Sequence, residues 1–240
     1  MKIKDFFLGN FSHEFWKNRV SPLIIIEFLG TLMIAWALRP VWLGEEWIYF
    51  PFKFHISGLG NGRMEGNIGA WIFVLGFCLL PLLGTVWSNF IYKQFAKISK
   101  VFAVILWIHL EFSMICVAFV GIFDGIWPTQ KISGFMHSFG ATFSFLGFTI
   151  AAVLVFIVML IIFWKIPSES RQVLHQVMFF LVIVELVGVY IIFRIIGTAF
   201  WQWTLMLSLM LFIFIISRFF PENLISHENK KDETLEILPE

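Results

Sequence analysis

Six long apolar runs, at residues 20–43, 69–92, 101–123, 135–164, 173–196 and 199–220, leave only short polar breaks between them. Each reaches the roughly 20 residues that a helix needs to cross about 30 Å of hydrocarbon. Lipid offers no partner to a backbone amide, so such a segment closes its hydrogen bonds within itself as a helix. The runs predict an all-α polytopic membrane protein, with a single bundle of six transmembrane helices over residues 20–220. Hydrophobic residues are 59% of the chain and charged residues 14%, too little polar surface for a water-soluble domain of this length. No break is long enough to hold a second core.

Positive charge sets the expected orientation. With the N-terminus inside, the cytoplasmic segments collect Lys2, Lys4, Lys17, Arg19, Lys93, Lys97, Lys100, Lys165, Arg171, Arg218, Lys230 and Lys231. The other side receives Arg39, Lys53, Arg63, Lys131 and Arg194. A split of 12 to 5 predicts both termini in the cytoplasm and a cell-membrane location. Residues 44–68 and 124–134 then face outward.

Residues 1–19 carry Phe7, Phe11 and Phe15 at a spacing of four, with Lys17 and His13 on other directions. This reads either as a short helix in the cytoplasmic interface or as an apolar tail packed on the bundle. Residues 221–240 are rich in Glu and Lys and read as a solvated, flexible cytoplasmic tail. Cys78 and Cys116 lie inside predicted helices without CxxC spacing, as small core residues do.

No Walker loop, GxGxxG after a strand, HExxH or GxSxG is present, and no cofactor or nucleic-acid partner is implied. The GLGNG run at residues 58–62 lacks the Lys-Ser or Lys-Thr of a phosphate loop and suits a tight turn. Chemistry must come from polar groups placed where they are costly, since a charge in a bilayer costs about 2.5–3.5 kcal/mol. Glu27, His109, Glu111 and Glu185 fall inside the predicted spans. His109 and Ser113 share a face, whereas Glu111 points about 200° away from His109. Glu111 and Glu185 read as a proton-relay or cation pair, or as acids bonded to neighbours that lock helix positions.

The outer edge gathers a second set. His55, Ser57, Asn61, Arg63 and Glu65 belong to the first outer loop, Asp124 and His137 flank the next, and Arg194 ends the fifth helix. Arg63 or Arg194 can hold a phosphate or carboxylate through two hydrogen bonds. Asp124 can orient the His137 imidazole as an acid–base pair. His55, Asp124 and His137 are also permissible zinc ligands, though their spacing gives no support for a metal. Trp42, Trp47, Tyr49, Phe50, Trp127, Trp201 and Trp203 crowd the same side as an interfacial belt.

Two segments carry a family resemblance. HISGLGNGRMEGNIGAWIFVLGFCLLPLLG, residues 55–84, resembles the first outer loop and second helix of the six-helix membrane proteins grouped as Domain of Unknown Function 998. These are related to the Frag, DRAM and Sfk membrane proteins. GIFDGIWPTQKISGFMHSFGATFSFLG, residues 121–147, is similar to that family's Gly-x-Phe element and His-x-x-x-Ala helix start, here Gly121, Phe123, His137 and Ala141. Gly58 and Gln202 depart from the pattern where acids are expected. The resemblance implies roles in lipid remodelling or in organising membrane lipids and partner proteins, and it adds weight to the set Ser57–Gly60, Asp124 and His137.

The expected function is recognition of membrane lipids or other membrane proteins at an outer polar pocket formed by Ser57, Asn61, Arg63, Asp124, His137 and Arg194. One alternative is an intramembrane lipid hydrolase or acyl-transfer enzyme using Asp124 and His137. A second is a proton- or cation-coupled transporter using Glu111 and Glu185.

Overall fold

A computed structural model describes residues 2–39, 52–53, 55–60, 66–123, 131–165 and 173–219. Among these residues the structure is all helical. A short helix α1 (Ile3–Phe7) precedes α2 (His13–Ala37), α3 (Ile68–Ala96), α4 (Lys100–Ile122), α5 (Lys131–Lys165), α6 (Val173–Ile196) and α7 (Ala199–Phe219). Five of them, α2 to α5 and α7, are long and apolar enough to cross a membrane. The sixth run also forms a helix, α6, of 24 residues. Leu75 and Leu79 on α3, Ile108 and Ile115 on α4, and Leu181 and Val184 on α6 are exposed, an outer surface compatible with lipid contact.

Helix starts follow local chemistry. The side chains of Ser12, Asn67 and Ser99 accept from the backbone N–H groups of Phe15, Ala70 and Phe102, satisfying donors that a first turn leaves orphaned. The expected boundary at residue 20 falls inside one continuous helix, α2. Its turn Trp16–Val20 is π-helical, directly before Pro22. A proline ring crowds the carbonyl four residues back, and a widened turn relieves that crowding.

Half of the N-terminal segment belongs to the bundle. Trp16 is fully buried, and the Phe11 and Trp16 rings stack on Phe90 of α3 at 5.3 and 4.8 Å. Gly9 makes this possible: its φ is +67°, and a Cβ there would lie 2.7 Å from the Phe90 nitrogen. Residues 11 and 16 thus pack on the bundle, whereas Ile3, Phe7 and Leu8 are exposed. Residues 221–240 lie outside the described residues.

Consecutive helices pack side by side, and α7 closes back onto α2. Ser21 accepts from Trp87 Nε1 at 3.2 Å, Thr31 faces Gly76, and Ala35 faces Gly69, so α2 and α3 run antiparallel. Arg218 near the end of α7 donates to Asn18 Oδ1 at 3.2 Å, near the start of α2. Only residues 197–198 separate α6 from α7, and Gly197, at φ +67°, donates to the Phe193 carbonyl at 2.8 Å. That left-handed cap turns the chain sharply into a helical hairpin.

Candidate functional site

The described polar groups fall into three places: the end of the bundle that carries the first loop, the helix interfaces at mid-depth, and the N-terminal end.

At the loop end a 3-10 turn, Ile56–Gly60, seats itself between helices. The Arg39 guanidinium donates to the Gly58 carbonyl at 2.9 Å. Gln202, in the first turn of α7, accepts from Ile56 N–H at 2.8 Å, and the same oxygen lies 3.2 Å from His55 Nδ1. Ile56 and Leu59 are buried beneath the turn, and Gly60 presses on the Phe73 ring. Gln202 stands where an acid was expected. As an amide it accepts from a backbone N–H without bringing a charge into a buried position.

Ser57 rides on this turn, half-buried. His137 on α5 is half-buried, with Nδ1 2.7 Å from the Phe123 carbonyl at the end of α4. A carbonyl only accepts, so this contact puts the proton on Nδ1. Asn61, Arg63 and Asp124 lie outside the described residues, and so does any pairing of Asp124 with His137. Among the described residues no group of three His, Cys, Asp or Glu side chains is placed to hold a metal ion.

Arg194 borders a cavity at the same end. Ala141, Thr142 and Phe145 of α5 face Tyr190, Phe193 and Arg194 of α6 around a volume of about 70 Å³. Residues 190, 193 and 194 share one helical face, and 141, 142 and 145 share the opposing one. Thr142 and Tyr190 bring hydroxyls, and Arg194 is exposed at the rim. His137 sits one turn before Ala141 on α5 and is not part of the lining.

Phe145 also borders a second cavity, of about 40 Å³, in the middle of the bundle. It is lined by α2, α3, α4, α5 and α7, almost wholly by apolar side chains that include Met114, Met206 and Met210. Ser144 is the one polar residue in that lining.

The mid-depth acids occupy different interfaces. Glu111 of α4 accepts from Thr85 Oγ1 at 2.8 Å and from Ser88 Oγ, both on α3. Glu185 of α6 accepts from Ser208 Oγ of α7, and its Oε2 is buried with no partner. Glu27 accepts from Thr31, one turn along α2, at 3.2 Å, and its Oε2 is likewise buried and unpartnered. His109 Nδ1 lies 2.8 Å from the Ile105 carbonyl on its own helix. Glu111 and Glu185 thus bond to different helix pairs. Cys78 and Cys116 are free thiols.

The N-terminal end holds a node that the sequence reading passed over. Asn89 of α3 donates to the Phe7 carbonyl at 2.9 Å and accepts from Trp107 Nε1 at 2.8 Å, tying α1, α3 and α4 together. A lone Asn at a helix end gives no sequence signal for such a role. Gln202 was marked only as a departure from the family pattern, not as the acceptor that holds the first loop.

No family model, curated protein or solved structure matches this chain. The likeness to the Domain of Unknown Function 998 group therefore rests on the residues quoted above.

Proposed function

We propose that this is a six-helix protein of the cell membrane, with both termini cytoplasmic, that binds a membrane lipid at its outer face through Arg194. Membership of the Domain of Unknown Function 998 group is part of the same proposal. The observation that carries the reading is the α5–α6 cavity, lined by Thr142 and Tyr190 with the exposed Arg194 beside them. Arginine's planar fork pairs with a carboxylate or phosphate through two parallel hydrogen bonds. Ligand sites characteristically combine an apolar lining with a few convergent polar groups.

Lipid analysis of the purified protein tests it. The wild-type chain retains anionic lipid, and Arg194→Gln loses most of it while keeping its thermal stability. Equal retention by the two proteins would remove the proposal. Reporter fusions at both ends check the orientation, and a reporter signal from opposite faces would overturn it.

A second reading has one observation in its favour. Glu27 and Glu185 each keep a buried carboxyl oxygen without a partner, as a proton or cation site requires. Loss of ion-coupled uptake in Glu185→Gln vesicles would select it, and unchanged uptake would exclude Glu185 from such a role.

A further inference from the structure

We infer that the lipid is a single-chain anionic amphiphile, held by Arg194 at its head and threaded past Phe145 into the central cavity. The inference rests on the lipid reading of the Arg194 cavity and adds the class of ligand and the path of its tail. A cavity of mixed character and an almost wholly apolar one share one wall. The outer one carries Arg194, Tyr190 and Thr142, and the inner one is apolar apart from Ser144. Phe145 lines both. An object that fills the two at once is charged at one end and hydrocarbon at the other.

The wall is suited to move. The Phe145 ring meets Phe193 edge-on at 5.7 Å, so two rings pack across this part of the α5–α6 seam. Behind them stand Met114, Met206 and Met210. Methionine has an unbranched, polarizable side chain that repacks at low cost, so the chamber can lengthen around a chain. Its present volume of about 40 Å³ must grow even for one chain, and a second chain would double the space required.

The head chemistry is a monoanionic or dianionic group with at least two oxygens. A fatty acid carboxylate and an alkyl phosphate both satisfy it, and free inorganic phosphate shares the head without the tail. Hydroxyls of Thr142 and Tyr190 border the same space and can donate to oxygens that Arg194 leaves unpaired.

Binding to the purified 240-residue chain in phosphatidylcholine nanodiscs tests this, with hexadecanoate, hexadecyl phosphate, hexanoate, inorganic phosphate and diacyl phosphatidylglycerol as probes. Both sixteen-carbon ligands are expected to bind, each at least tenfold more weakly to Arg194→Gln. Met210→Phe, which fills the chamber, is expected to weaken hexadecanoate at least tenfold and to leave hexanoate unchanged. Met210→Ala, which widens it, is expected to keep or improve hexadecanoate binding. If Met210→Ala weakens the long chain as much as Met210→Phe, free room in the chamber does not govern binding and the tail path is wrong. The inference also fails, with the lipid reading intact, if Arg194→Gln weakens binding but Met210→Phe does not, or if the diacyl lipid competes equally. Inorganic phosphate binding as tightly as hexadecyl phosphate would overturn it too, by removing any contribution from the tail. If Arg194→Gln changes nothing for any probe, the lipid reading itself falls.

Discussion

From α2 to α5 neighbouring helices close on one another at glycines, whereas no described glycine of α5 or α6 has its nearest neighbours across their own seam. Each of the first three interfaces has glycines at close approaches. Gly69 and Gly76 press on Ala35 and Thr31, Gly84 and Gly121 on Met114 and Phe77, and Gly140 and Gly147 on the Cys116 carbonyl and Ser113. Small residues let helices approach closely in a medium where no hydrophobic force pulls them together. Across the α5–α6 seam the pattern changes. Phe145 pairs with Phe193 and Phe156 with Phe180, at 5.7 and 6.0 Å, while Gly188 of α6 has nothing within 4 Å of an added Cβ. No glycine lets these two helices close on each other, and the α5–α6 cavity lies in the same seam. The same chain thus builds a tight four-helix block and a looser docked hairpin, and the candidate site falls at the join.

The strongest way to break this contrast is to put methyl groups where the block has none. Gly69→Ala drives its Cβ into the Ala35 carbonyl oxygen. Overpacking of this kind costs about 1–3 kcal/mol, and contact with backbone places it at the upper end. Thermal unfolding in detergent should fall accordingly, and an unchanged midpoint would show that the block is not tightly packed. Next in size is Gln202→Leu, which leaves the Ile56 N–H without its acceptor at a cost of about 1–2 kcal/mol. Faster proteolysis of the first loop should accompany it. Ser88→Ala removes one of two partners of Glu111 and should cost about 1 kcal/mol in the same melt. Smallest is Gly188→Ala, expected within about 0.5 kcal/mol of wild type because the position opens on free space. Should it destabilise as much as Gly69→Ala, the two regions are packed alike and the contrast is void.

Much of the fold was legible before the structure. Runs of hydrocarbon length mark the helices because each residue pays its own transfer cost, whereas the caps at Ser12, Asn67 and Ser99 came from the structure. The first helix was read too short at its N-terminus. His13 and Lys17 lie in other directions from the Phe stripe, and the sequence carried no sign that Phe11 and Trp16 stack on a ring of α3. Of the candidate site, Arg194 was legible as a cation at an outer helix end. Its companions Thr142, Tyr190 and Phe145 were not, since a hydroxyl or a ring within an apolar run carries no mark of the face it presents.

The sequence alone therefore determined the helical class, the span lengths and which positions carry costly polar groups, all of them properties that a residue and its near neighbours set. Tertiary structure decided which way each helix is turned. It brought Gln202 to an N–H 146 residues away, gave Glu111 two partners and left an oxygen of Glu185 with none, and set Arg194 over a cavity. The physical reason is that a helix apolar on every side has no preferred face by composition. Its rotation is settled by the glycines, rings and hydrogen-bonding groups on the helices beside it.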